Sequence, residues 1–118
     1  MKGVIYMTDK LLVLSTAESQ AEAARIAEEL VERRLAACVN VIGRIQSFYR
    51  WEDKLQRAEE YLLMIKTVRS QEEQVRAAVR ELHSYELPEL ISISIDDGSP
   101  DYLKWMDSCV EGAGGTAE

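Results

Sequence analysis

Two long alternating runs, joined by two polar residues, restrict this chain more than any other feature. Val39 and Val41 alternate with Cys38 and Asn40, and Ile45, Ser47, Tyr49 and Trp51 continue at the strand period of two. Glu52-Asp53 predicts a tight turn, after which Tyr61, Leu63 and Ile65 lead to Thr67 in a returning strand. Gly43 interrupts the first run and predicts a bulge or bend. Both strands exceed the usual five or six residues. Such a hairpin overhangs a small domain, so its edges must be covered or joined to another chain.

The flanks complete a fold around this hairpin. Leu11-Leu12-Val13-Leu14 is a continuous apolar run, as in a strand buried on both faces. Ser19-x-x-Glu22 is a capping box opening a helix over 19–35, with Ala23, Ile26, Ala27, Leu30 and Val31 on its apolar face. A second capping box, Ser70-x-x-Glu73, opens a helix ending near His83 whose face carries Val75, Ala78, Val79 and Leu82. Ile91, Ile93 and Ile95 alternate with Ser92 and Ser94, predicting a half-buried strand. Asp97-Gly98 makes a turn, and Ser99-Pro100 starts a short last helix carrying Tyr102, Trp105, Met106 and Cys109. The order strand, helix, hairpin, helix, strand predicts an α+β, ferredoxin-like βαββαβ sandwich with an extra C-terminal helix. One domain over 1–110 is expected, with 111–118 a disordered tail.

Composition narrows the partners. A formal charge of −7 over 118 residues supplies no basic footprint, which argues against nucleic acid. No apolar run approaches the ~20 residues of a membrane-spanning helix. Two cysteines 71 positions apart do not make a secreted disulfide framework, so reduced thiols in the cytoplasm are expected. There is no phosphate-cradling glycine loop, nucleophile elbow, paired-histidine zinc motif or C-x-x-C, and the chain is not expected to be an enzyme.

Several residues remain candidates for binding. His83 is the single histidine, in the turn His83-Ser84-Tyr85-Glu86-Leu87-Pro88-Glu89; it either caps a helix or ligates a metal. One histidine and two cysteines cannot close a tetrahedral zinc site within one chain. Cu(II) is the first candidate for an imidazole and oxygen site, because it tops the divalent affinity series. Cys38 reads as a small buried hydrophobe or a soft ligand. Lys66 either reaches water from a strand end or pairs an anion, with Glu60 or Glu86 as further partners. Tyr49, Trp51, Tyr85, Tyr102 and Trp105 suit packing or an interface with one wet side.

In combination these segments resemble a known family. Ala36-Ala37-Cys38-Val39-Asn40, Ser47-Phe48-Tyr49-Arg50-Trp51 with Lys54, Glu60 with Ile65-Lys66-Thr67, the 83–89 turn and Asp101-Tyr102-Leu103-x-Trp105 are similar, in order, to segments of the CutA divalent-cation tolerance proteins. The likeness runs from about 11 to 110. Two departures stand out: Ser84 where the family usually has proline, which restores a backbone donor after His83, and Asp53 where it usually has glycine.

The resemblance implies a ferredoxin-like protomer in a homotrimer, with strands pairing between subunits, and a role in tolerance to copper and other divalent metals. By position it implies a pocket of Cys38, Trp51, Glu60, Lys66, His83, Tyr85, Glu86, Tyr102 and Trp105 at subunit clefts. Within that set His83, with Cys38 or Glu60, is expected to hold Cu2+. Kinship with trimeric PII-type signalling proteins implies a rival, a sensor of an anionic metabolite held by Lys66 with Tyr85 and Trp105. A ligand-free trimeric scaffold is the third reading.

Overall fold

In a computed structural model of the chain, which describes residues 8–112, four strands and three α-helices follow the expected order. They are β1 (Lys10–Ala17), α1 (Gln20–Glu32), β2 (Cys38–Trp51), β3 (Lys54–Val68), α2 (Glu72–Leu82), β4 (Ile91–Ser94) and α3 (Pro100–Cys109). The sheet order is β2-β3-β1-β4, and every neighbouring pair is antiparallel. This is the ferredoxin-like arrangement. No helix among the described residues is long and apolar enough to cross a membrane.

Strand period divides the sheet into two unlike faces. Val13, Leu63 and Ile65 point to the helix side, where they bury against Ala23, Ile26 and Leu30 of α1 and Val75, Ala78 and Val79 of α2. The alternate residues Leu12, Leu14, Leu62, Met64 and Lys66 occupy the opposite, open face and are only half-buried. A smaller cluster of Ala37, Val68, Met106 and Val110 seats α3 at one end. Lys10 reinforces that end by pairing with Asp107 at 2.8 Å and Asp9 at 2.6 Å.

Strand β4 departs from expectation. Its alternation is present, but Ile93 pairs with Leu12 and Ile91 with Leu14, placing both isoleucines on the open face. They are exposed, while Ser92 turns to the helix layer within 3.5 Å of the Arg76 guanidinium. The second capping box is also not formed. A short 3-10 turn, Arg69–Gln71, precedes α2, and the Ser70 hydroxyl donates to the Gly112 carbonyl instead. The first box is half made: Ser19 Oγ accepts from Glu22 N, but the Glu22 carboxylate is directed mainly elsewhere. Helix α1 stops at Glu32 rather than 35. Glu111 and Gly112, assigned from sequence to a loose tail, are anchored by Glu111 N to the Arg34 carbonyl and by Gln71 Nε2 to the Glu111 carbonyl. Residues 113–118 lie outside the described part.

The hairpin closes as expected, with Glu52 and Asp53 both at positive φ, 51° and 63°. That is the backbone of the two-residue turn whose twist matches flanking strands. Gly43 marks a register shift, pairing with Tyr61 just before Ile45 pairs with Glu60. A side chain at Gly43 would enter the Tyr61 ring. Gly43→Ala is therefore expected to destabilise the protein by roughly 1–3 kcal/mol, the usual cost of overpacking. Urea unfolding with an unchanged m-value checks this; an unchanged midpoint would show that Tyr61 moves aside freely.

Candidate functional site

The 83–90 segment carries the chain from the C-terminus of α2 round to β4, and its anchoring shapes a cleft beside the β2–β3 hairpin. His83 sets that anchor. Its side chain is wholly buried, with Nε2 donating to the Thr16 carbonyl at 2.6 Å and Nδ1 accepting from Tyr85 N at 3.0 Å. Both ring nitrogens are thus occupied. Beside it Glu22 Oε2 accepts from Ser84 N at 2.6 Å, and Oε1 accepts from the Ser84 hydroxyl at 3.2 Å. Burial pushes the Glu22 carboxyl up, but the Ser84 bonds outweigh it and hold the group below its ordinary value. Ser84, in place of a proline, donates one of these bonds from its backbone; a proline could not.

Tyr85 passes the anchor on to the cleft. Its ring lies 4.7 Å from the His83 ring, and its hydroxyl donates to Glu60 Oε2 at 2.7 Å. Burial, then the Glu60 charge, raise the phenol far above its ordinary value, so it stays a donor. Glu60 is 7% exposed and makes no salt bridge among the described residues. Burial and the Glu60 charge together push the Glu89 carboxyl up. The cleft itself has a volume of about 820 Å³. Its aromatic walls are Phe48, Tyr49 and Trp51 of β2 with Tyr85, and its charged lining residues are Glu60, Glu86 and Glu89.

The nine residues singled out from sequence divide between two places. Trp51, Glu60, Tyr85 and Glu86 line the cleft, with His83 behind it. Cys38, Lys66, Tyr102 and Trp105 lie at the other end of the sheet. There Cys38 pairs with Lys66 in register, Lys66 Nζ sits 5.7 Å over the Tyr102 ring, and Tyr102 lies 5.3 Å from Trp105. Six residues of extended β3 separate Lys66 from Glu60, roughly 20 Å. One protomer therefore does not gather His83, Cys38 and Glu60, and among the described residues no three His, Cys, Asp or Glu side chains form a metal-binding group. Nor does it bring Lys66 to Tyr85.

From sequence Glu22 reads only as a capping-box acid and Glu89 as part of a solvated turn, and Thr16 carries no signal. The burial of Glu22 was legible: it stands four and eight residues before Ile26 and Leu30, on the inward stripe of α1. Thr16 acts through its backbone carbonyl, which leaves no side-chain signal.

The chain resembles known proteins in sequence and fold. The profile of the CutA1 divalent ion tolerance protein matches residues 11–109. The chain belongs to the CutA1 family. A CutA homolog of Xenopus laevis is 52% identical over 85 residues, covering 72% of this chain and 56% of the frog protein. The divalent-cation tolerance protein CutA of Archaeoglobus fulgidus is 43% identical over 96 residues, covering 81% of this chain and 93% of the archaeal protein. The solved structure of that archaeal CutA, described as periplasmic, superposes with a TM-score of 0.84 at 40% identity, over 86% of this chain and 99% of the other. CutA from Xylella fastidiosa gives 0.87 at 35% identity, over 88% and 100%. This chain's spans of 56% and 93% of the frog and archaeal proteins show that relatives differ in what surrounds this domain.

Proposed function

We propose that this CutA1 chain serves divalent-cation tolerance by binding, not turnover, as a homotrimer in the cytoplasm, with Cu2+ the preferred ion. The observation that carries the reading is Glu60, a carboxylate buried without a cationic partner among the described residues. Tyr85 holds one of its oxygens and the carboxylate lines the cleft, so a cation entering there meets an oxygen donor with no competing cationic side chain. Glu60 and Glu89 supply oxygen donors, and water or a neighbouring subunit supplies the rest. Copper ranks first through the affinity series. Every charged lining residue is acidic, which disfavours an anionic metabolite in this cleft. Two free thiols suit a reducing compartment, in contrast to the periplasmic description of the archaeal relative.

The open face supports assembly. Leu12, Leu14, Leu62, Met64, Ile91 and Ile93 leave one side of the sheet apolar and without a covering layer in the protomer. Further copies of the chain would bury it. Because Glu60 shares its parity on β3 with Leu62 and Met64, the cleft opens beside that face, where subunits would meet.

Calorimetric titration of Cu2+ into the protein and into Glu60→Gln tests the site. The variant keeps an acceptor for Tyr85 and is expected to bind at least tenfold more weakly. Affinity for the unaltered protein should also fall with pH as Glu89, whose carboxyl is raised, takes up a proton that the ion must displace. Equal affinity in the two proteins removes Glu60 from the site.

A further inference from the structure

We infer that Asp97-Gly98, in the connection between β4 and α3, is a site of spontaneous backbone isomerisation that converts Asp97 to an isoaspartyl residue. The inference is independent of the proposed ion site. An aspartyl side chain carries its carboxyl carbon, Cγ, within reach of the following amide nitrogen, and attack there closes a five-membered succinimide. A bulky following residue obstructs that approach, whereas glycine has no Cβ to do so. Asp97 is the only aspartate in the sequence followed by glycine.

The fold leaves this pair unprotected. Residues 96–101 are all exposed, and 95–99 belong to no helix or strand. The Gly98 amide donates to Asp97 Oδ1 at 2.8 Å, so the carboxyl already lies against the nitrogen that closes the ring. Among the described residues that amide takes no part in a backbone ladder. Strand β4 ends at Ser94, Ile95 N bonds to the Lys10 carbonyl, and α3 begins its ladder with Leu103 N on the Ser99 carbonyl. Asp107-Ser108 makes the contrast. Its following residue is also small, but both lie within α3, where the Ser108 amide is committed to the helix, and the Asp107 carboxylate is held 2.8 Å from Lys10 Nζ.

The conversion balances without an outside reagent. The Gly98 nitrogen bonds to Asp97 Cγ, the Cγ–O bond breaks, and the carboxyl hydroxyl leaves as water with the amide proton. Water then reopens the ring. Opening at Cγ restores aspartate. Opening at the main-chain carbonyl leaves Gly98 attached through Cγ, with one extra methylene in the backbone and a free α-carboxylate. That methylene falls just before Ser99 and Pro100, where α3 starts. The new carboxylate is the group that isoaspartyl methyltransferases esterify with S-adenosylmethionine.

The test ages the full-length protein at neutral pH, once folded and once in concentrated urea. Isoaspartate is counted by enzymatic methyl transfer from S-adenosylmethionine to the digested protein. Peptide mapping places it, because an endoproteinase that cuts before aspartate does not cut before isoaspartate. The label is expected in the peptide holding Asp97. A loop that opens at little cost reacts nearly as fast as an unfolded chain, so the folded rate should lie within about fivefold of the urea rate. Asp97→Glu, which would need a six-membered ring, should lose at least nine-tenths of the label. Asp97→Asn should react faster through the same ring, releasing ammonia. A folded rate more than about fivefold below the urea rate overturns the inference, because the loop then holds Cγ away from the nitrogen. Label spread evenly over the aspartates, an unchanged label in Asp97→Glu, or no acceleration in Asp97→Asn also overturns it.

Discussion

Replacing His83 by alanine is expected to lower unfolding free energy by about 3–5 kcal/mol, while Cu2+ affinity of the folded protein stays within about twofold. The imidazole bridges the Thr16 carbonyl and the Tyr85 amide inside the protein, so its removal orphans one acceptor and one donor. Each unmet buried group costs roughly 1–3 kcal/mol, and the cavity left by the ring adds to this. The turn over 83–90 then loses its tie to β1 and rests on the Glu22–Ser84 bonds and the Tyr85–Glu60 bond. His83→Gln, with a donor and an acceptor on a shorter planar group, should recover part of the loss. Chemical unfolding with parallel Cu2+ titration separates the two roles of this residue. A stable His83→Ala protein that binds Cu2+ at least tenfold more weakly would make His83 a metal ligand after all.

Acid should act on the same anchor. Glu22 has a folded-state carboxyl held below its ordinary value of 4.5. Its contribution is therefore complete above that value and disappears as pH falls through the lower, folded one. The 83–90 turn should loosen in that acidic window before the core does. In His83→Ala, where fewer bonds hold the turn, the loss should occur under milder denaturant at the same pH.

What the sequence disclosed depended on whether a residue acts through period or through partner. Period was enough for the strands, the helices and the hairpin, because Leu63, Ile65, Ile26 and Val79 report burial by their spacing. It did not tell which face of the sheet the helices cover. Ile91 and Ile93 alternate as a half-buried strand should, yet register with β1 puts them opposite the helix layer. An isoleucine row on an open sheet face reads the same as one destined for the core. Ser70 failed as a cap for a different reason. It sits in the middle of a 3-10 turn tied to Gly112, a contact 42 residues away that no local motif encodes. At the site, residue types pointed to Glu60, Tyr85 and Trp51, but a linear string could not separate them from Lys66 and Trp105, which belong to the other end of the sheet.

Ile93→Lys is expected to shift the protein from the mass of three chains to the mass of one, with the protomer still folded. Ile93 is 44% exposed in the protomer, so a lysine there meets water and should change protomer stability by no more than about 0.5 kcal/mol. In a trimer the same residue would be buried on the open face beside Leu12. An ammonium enclosed there without a carboxylate costs several kcal/mol, and symmetry imposes that cost three times. Val31→Lys is the matched control. Val31 has nearly the same exposure, 43%, but lies on α1 in the helix layer, away from the open face. Light scattering at micromolar concentration should find it unchanged in mass. Loss of the oligomer in both variants would mean that the helix layer also takes part, and in neither that the open face is not the contact. If only Ile93→Lys dissociates, Cu2+ titration of that monomer decides whether one chain suffices for the site. An affinity lost with the trimer would place the missing donors on the neighbouring subunit, beyond Glu60 and Glu89 of a single cleft.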